Sequence, residues 1–121
     1  MKKQGILSQV RWRMRIMRSD VIAVGPGKIE LLEAIRDHGS ITAAAKSMNM
    51  SYRRAWLLLN EINMSLASPA TVSNHGGANG GASKLTDVGE RIVTLYRQIE
   101  MQATQANKDE LEQLIALLKQ N

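Results

Sequence analysis

The 121-residue sequence predicts a mainly α fold with a small β component. The expected form is a winged helix-turn-helix with an N-terminal β-hairpin in front and a long C-terminal dimerisation helix behind. Three observations carry this. Residues 28–66 hold three helical-period segments separated by turn residues. Residues 70–86 set two strand-like pieces around a tip of four glycines and two asparagines. Residues 87–119 keep apolar residues at helical spacing to the end. At about 100–200 residues per domain the length allows one domain, read as an arm and hairpin (1–26), a winged helix (27–86) and a long helix (87–121).

The arm begins with alternation: Val10, Trp12, Met14 and Ile16 on one face, Arg11, Arg13 and Arg15 on the other, as a half-buried strand requires. Ser19-Asp20 supplies a turn, and Val21–Val24 is β-branched enough to return as a second strand. Val10, Met14, Met17 and Val21 also share a helical stripe, so a helix competes with the hairpin. Gly25-Pro26-Gly27 ends either element. Ile29, Leu32 and Ile35 then form a helical stripe among Glu30, Glu33, Arg36 and Asp37, with Pro26 at the first turn and Gly39 as the stop. Ser40 can cap a short second helix, 41–48, whose alanines permit close approach, and Asn49 can close it in the left-handed conformation. Ser51 can cap a third helix, Tyr52 to about Leu66, with Ala55, Leu58, Leu59 and Ile62 as its buried stripe. Trp56 is expected in the core beneath it, and the seven scattered methionines read as core filler. Ser68-Pro69 ends that helix. Strands 70–73 and 83–85 flank the glycine-rich tip. From Asp87 the stripe runs through Val88, Ile92, Tyr96, Ile99, Ala103, Leu111, Leu114 and Leu118. Asn107 with Glu110 resembles a capping box that breaks this helix near residue 107.

Composition narrows the function. The formal net charge is +5. Residues 1–54 hold 11 basic and four acidic side chains, and residues 55–121 five and seven. A positive field on one half of a small domain attracts a polyanion, although a solvated surface has the same look. No apolar run approaches the roughly 18 residues of a membrane span, and the start does not read as a signal peptide. There are no cysteines, which removes disulfides and thiolate chemistry and fits a cytoplasmic protein. With His38 and His75 alone for imidazole chemistry, no nucleophile–base pair and no metal-ligand spacing, the chain is not read as an enzyme, and no cofactor or metal is expected.

The two helices joined at Asn49-Met50-Ser51 have the small contact residues (Ala45, Ala55) and turn geometry of a helix-turn-helix. The third helix then presents Ser51, Tyr52, Arg53 and Arg54 at its N-terminal end, the end that enters a major groove in such units. An arginine can grip guanine O6 and N7 together, worth about 1–3 kcal/mol of discrimination. A plain helical hairpin with solvated arginines is the competing reading. The glycine-rich hairpin favours DNA, because its backbone N–H groups can line a phosphate chain as anion-binding nests do, with Lys84 adding a cation. Gly76 to Lys84 does not match a phosphate loop, and no βαβ unit supports a dinucleotide fold. A lone loop histidine such as His75 seldom carries a switch. With four aromatic residues in all, base stacking on RNA or single strands is poorly served.

Three stretches together are similar to one family. Gly25-Pro-Gly-Lys-Ile-Glu-Leu-Leu-Glu-Ala-Ile35, Gly39-Ser-Ile-Thr-Ala-Ala-Ala45 and Met50-Ser-Tyr-Arg-Arg-Ala-Trp56 resemble the N-terminal DNA-binding domain of molybdate-responsive, ModE-type transcriptional regulators, distant relatives of LysR-type winged helices. The tip 75–82 followed by Lys84-Leu-Thr86 and Gly89 resembles that family's wing and long-helix entry. The likeness covers roughly residues 10–100. It implies a homodimer on a palindromic operator, with the third helix of each subunit in a major groove and the wings outside. Full-length members carry molybdate-binding modules after this domain. The chain ends at Asn121, so molybdate sensing is not implied.

The residues expected to meet double-stranded DNA are therefore Ser40, Thr42 and Lys46, then Ser51, Tyr52, Arg53 and Arg54, then the wing residues Asn74, His75, Gly76, Gly77, Asn79, Gly80, Gly81 and Lys84. Leu95, Ile99, Leu111, Leu114, Ile115 and Leu118 form more apolar stripe than a lone terminal helix shelters, and are expected at a homodimer interface. The alternative is a helical adaptor derived from a winged helix, acting on another protein without DNA.

Overall fold

A computed structural model of the chain describes residues 9–74 and 81–119. Strands β1 (Ile16–Arg18) and β2 (Val21–Val24) form a hairpin. Helices α1 (Pro26–His38), α2 (Ile41–Ser47) and α3 (Tyr52–Ser65) follow. Strands β3 (Thr71–Ser73) and β4 (Ser83–Leu85) make the second hairpin, and α4 (Asp87–Ala106) and α5 (Lys108–Ala116) complete the chain. Each pair of strands is antiparallel and separate from the other.

The arm is a hairpin, not a helix, but a shorter one than alternation suggests. Ile16 pairs with Val24, Met17 with Ile22 and Arg18 with Val21, with a bulge between Ile16 and Met17. Ser19 takes the turn at φ 55. Residues 10–15 are not strand. In this register Arg15 and Met14 would face Gly25 and Pro26, where the chain is already turning into α1 and Pro26 has no N–H to offer. The alternation still describes which side faces in: Val10, Trp12 and Met14 are half-buried while Arg11, Arg13 and Arg15 are exposed. Side-chain tethers replace the missing ladder. Trp12 Nε1 donates to Thr104 Oγ1 at 2.8 Å and Tyr96 Oη donates to the Met14 carbonyl at 2.8 Å.

The helix boundaries follow the local signals. Pro26 opens α1, and Gly39 closes it at φ 80 with its N–H on the Ile35 carbonyl at 2.8 Å, a left-handed cap that glycine adopts without a Cβ penalty. Ser40 Oγ accepts from Ala43 N, and Ser51 Oγ from Arg54 N, each at 3.0 Å. Asn49 sits at φ 57 between α2 and α3. Ala44, Ala45 and Ala55 are buried where these helices meet Leu31, Leu32, Ile35, Leu59 and Ile62. Fully burying one such leucine or isoleucine is worth roughly 1.5–3 kcal/mol.

The second hairpin pairs Thr71 with Leu85, Val72 with Lys84 and Ser73 with Ser83. It is held to the helical core by Ser83 N on the Gly39 carbonyl at 2.8 Å. Thr86 fixes its exit: Oγ1 donates to the Pro69 carbonyl at 2.7 Å and accepts from Gly89 N at 3.1 Å, and Thr86 N donates to the Ala70 carbonyl at 2.9 Å. Helix α4, about 30 Å long for its 20 residues, is tied to α1 by Arg97. That guanidinium forks onto Glu33 at 2.9 and 2.7 Å and reaches Glu100 at 2.7 Å.

The long C-terminal helix does break at Asn107, although not through a capping box. Asn107 takes φ −115 and ψ 22, its side chain caps no N–H of α5, and its Nδ2 instead donates to the Ala103 carbonyl at 2.7 Å. It therefore serves as a C-terminal cap of α4. No helix among the described residues is long and apolar enough to cross a membrane.

Candidate nucleic-acid interface

The helix-turn-helix brings several expected residues to one surface. Thr42, Lys46, Asn49, Ser51 and Tyr52 line one open depression between α2 and the start of α3. Ser40 and Ser51 have their hydroxyl acceptors engaged as helix caps, so their contribution to this surface is first to fix where the helices start. Tyr52, Arg53 and Arg54 occupy the first turn of α3 and are all exposed. Neither guanidinium has an ion-pair or hydrogen-bond partner among the described residues. Two unpaired cations on the free N-terminal turn of a helix leave five donors each for an incoming acceptor, and the positive end of the helix dipole adds to their field.

The wing residues divide. Asn74 is exposed and extends the ladder by donating its N–H to the Ala82 carbonyl at 2.8 Å. Lys84 is exposed at the centre of β4 between buried Ser83 and Leu85, so it stands on the solvent side of the hairpin. Gly81 is half-buried at the near edge of the tip. His75, Gly76, Gly77, Asn79 and Gly80 lie outside the described residues.

Two side chains sit elsewhere than the sequence suggests. Trp56 is 46 % exposed, not core. The buried stripe of α3 runs through Ala55, Leu59 and Ile62, and Trp56, one residue past Ala55, is rotated about 100° from it. Leu57 and Met64 are exposed on the same helix. Lys28, one of the basic residues of the N-terminal half, is buried. Its ammonium donates to the Ile22 carbonyl and lies 3.1 Å from the Glu61 carboxylate, joining the first hairpin to α3. Nothing in the local pattern marks it, because the two partners lie in different elements.

The apolar stripe of the C-terminal helices is largely uncovered. Leu95, Ile99, Leu114 and Leu118 are exposed, Leu111 and Ile115 half-buried, and Met101 and Leu117 add to the open apolar surface. Tyr96 faces inward at 2 % exposure. Burial pushes its phenol pKa up, with the Glu100 carboxylate acting in the same direction and the Arg97 and Arg13 charges opposing. Arg97 is held even more firmly in its charged form by its bonds to Glu33, against a desolvation cost. Among the described residues no group of histidines and carboxylates is placed to hold a metal ion.

No protein-family model matches the chain. Curated proteins do. The Molybdenum transport protein ModE of Azotobacter vinelandii is 42% identical over 80 residues, 66% of this chain and 30% of that protein. The Transcriptional regulator ModE of Haemophilus influenzae is 36% identical over 87 residues, 72% of this chain and 34% of that one. The Molybdenum-pterin-binding protein MopA of Rhodobacter capsulatus is 31% identical over 93 residues, 77% of this chain and 35% of that protein. The chain thus spans about a third of the length of the curated relatives it matches. Among solved structures, ArgP from Mycobacterium tuberculosis aligns with a TM-score of 0.51 at 15% identity, over 70% of this chain and 30% of that one, a likeness of fold. By sequence over 66–77% of its residues, and with the α+β winged-helix architecture described above, this chain is similar to ModE-type proteins over about a third of their length.

Proposed function

We propose that the chain binds double-stranded DNA as a sequence-specific transcriptional regulator. In this reading it is a homodimer with α3 of each subunit in a major groove and the glycine-rich hairpin on the sugar–phosphate backbone. The genes it controls are molybdenum-related, in keeping with the names of its relatives. The observation that carries the reading is the pair Arg53 and Arg54, exposed and unpartnered on the leading turn of α3 beside the depression of Thr42, Lys46 and Tyr52. Support for the dimer comes from the open apolar face of Leu95, Ile99, Leu114 and Leu118, which a second copy would shelter.

Retention of the protein on a random duplex pool tests the coarse claim. Several phosphate contacts make affinity fall roughly 10³–10⁵-fold from 50 to 200 mM salt for six to ten of them. The finer claim is that Arg54→Ala removes preference for the sequence enriched from that pool, at about 1–3 kcal/mol for a lost bidentate base contact, while the dimer persists. An unchanged preference in a gel-shift titration refutes that assignment. The adaptor alternative draws on exposed Trp56, Leu57 and Met64; an adaptor shows no salt-sensitive retention on duplex.

A further inference from the structure

A second basic surface lies beside the recognition turn. Between the arm, the start of α1 and the flank of α3 opens a groove of about 640 Å³, and Arg13 and Arg15 line it together with Arg54. The arm is fixed there from behind. Tyr96 holds the Met14 carbonyl, and Trp12 is bonded to Thr104, both on the α4 side. Side chains alternate along an extended segment: Trp12 turns its side chain to α4, and Arg13 and Arg15, at the alternate positions, are both exposed. Neither has an ion-pair or hydrogen-bond partner among the described residues. The groove also contains Lys28 with its partner Glu61, and Asp20 and Glu30. Lys28 and Glu61 neutralise each other, and neither Asp20 nor Glu30 is within ion-pair distance of the three arginines, which leaves the guanidinium groups in surplus.

We propose that Arg13 and Arg15 form a clamp for the phosphodiester backbone of the same duplex that α3 enters. The inference rests on the DNA-binding reading and adds to it a contact supplied by the arm. Arg54 links the two surfaces, since it stands on the recognition turn and also lines the groove. A strand leaving the major groove on this flank of α3 passes over the arm, where two more cations meet its phosphates. Such contacts set register and affinity and carry no base information.

The test is the salt dependence of binding to duplex, with the full chain. Each lost phosphate contact lowers the slope of log affinity against log salt by about 0.9. Arg13→Ala/Arg15→Ala removes two such contacts from each subunit of the homodimer and is therefore expected to flatten the slope by about 3.6. Its deficit relative to wild type is then about 150-fold larger at 50 mM than at 200 mM salt. The motif enriched from a random pool stays the same, and Arg13→Lys/Arg15→Lys restores the slope because an ammonium also neutralises a phosphate. Both side chains being exposed, thermal melting confirms that the variants fold. A wild-type slope in the double alanine variant, or a changed motif, overturns the clamp while leaving the recognition turn in place. Absence of salt-sensitive binding by the wild type overturns both.

Discussion

Replacing Gly89 with alanine is expected to destabilise the fold by about 2 kcal/mol, in a helix where alanine is ordinarily the better residue. Gly89 sits in the first turn of α4, and a Cβ built there lands on the carbonyl oxygen of Ala70, with the Ala70 carbonyl carbon at 3.1 Å and the Leu85 Cβ at 3.3 Å. The obstacle is backbone, so no rotamer change relieves it. The same carbonyl accepts the Thr86 N–H at 2.9 Å, and moving it aside weakens the bond that sets the entry to α4. Overpacking of this kind costs typically about 1–3 kcal/mol, and a rigid obstacle places it at the upper end. The gain in helix propensity returns about 1 kcal/mol. The net of about 2 kcal/mol corresponds to a melting temperature lower by roughly 8 °C for a domain of this size. Gly27 provides the contrast. It lies in the first turn of α1 with nothing within 4 Å of a built Cβ, so Gly27→Ala is expected to raise stability by up to about 1 kcal/mol. Thermal or urea unfolding of the two variants against wild type reads both signs. A Gly89→Ala protein as stable as wild type would refute the close approach of α4 to the hairpin, and with it the anchoring of the wing.

Stability should fall as the pH rises above 10, in part because of Tyr96. Burial raises its folded pKa above the ordinary phenol value of 10.0, so in alkali the unfolded chain ionises while the folded one still holds the proton. Below pH 10 neither state loses it and this contribution is constant. Tyr96→Phe should give a flatter decline above pH 10. It should also cost about 1 kcal/mol at pH 7 from the lost bond to the Met14 carbonyl; an identical alkaline slope in the variant would refute the assignment. Ile99→Glu/Leu114→Glu, both on the exposed apolar face, should convert a dimer into a folded monomer in sedimentation. A wild type that stays monomeric at every concentration, or a variant that still dimerises, would rule out this face as the interface.

The elements of the helix-turn-helix were legible in the sequence because their signals are local. A proline at the first turn, Gly39 and Asn49 at left-handed positions, and serines 40 and 51 at caps each act through the backbone of the next few residues. Alternation from Val10 to Arg15 likewise told inside from outside, since an extended chain turns successive side chains to opposite faces wherever it is anchored; Ile16, expected on the inner face, is instead exposed. Periodicity could not say which covered positions stay covered. Trp56 lies beside the buried stripe of α3, and only the placement of the neighbouring helices leaves it in solvent. The same holds for the arm, where pairing beyond Ile16 depended on how early the chain turns into α1. Lys28 is buried only because Ile22 and Glu61, distant in sequence, converge on its ammonium. Arg13 and Arg15 were visible as exposed residues, but their place beside Arg54 is a relation between elements, fixed by the bonds of Trp12 and Tyr96 to their distant partners. Local hydrogen bonding and side-chain period are written in neighbouring residues, whereas burial and the meeting of charges depend on which surfaces the folded chain brings face to face.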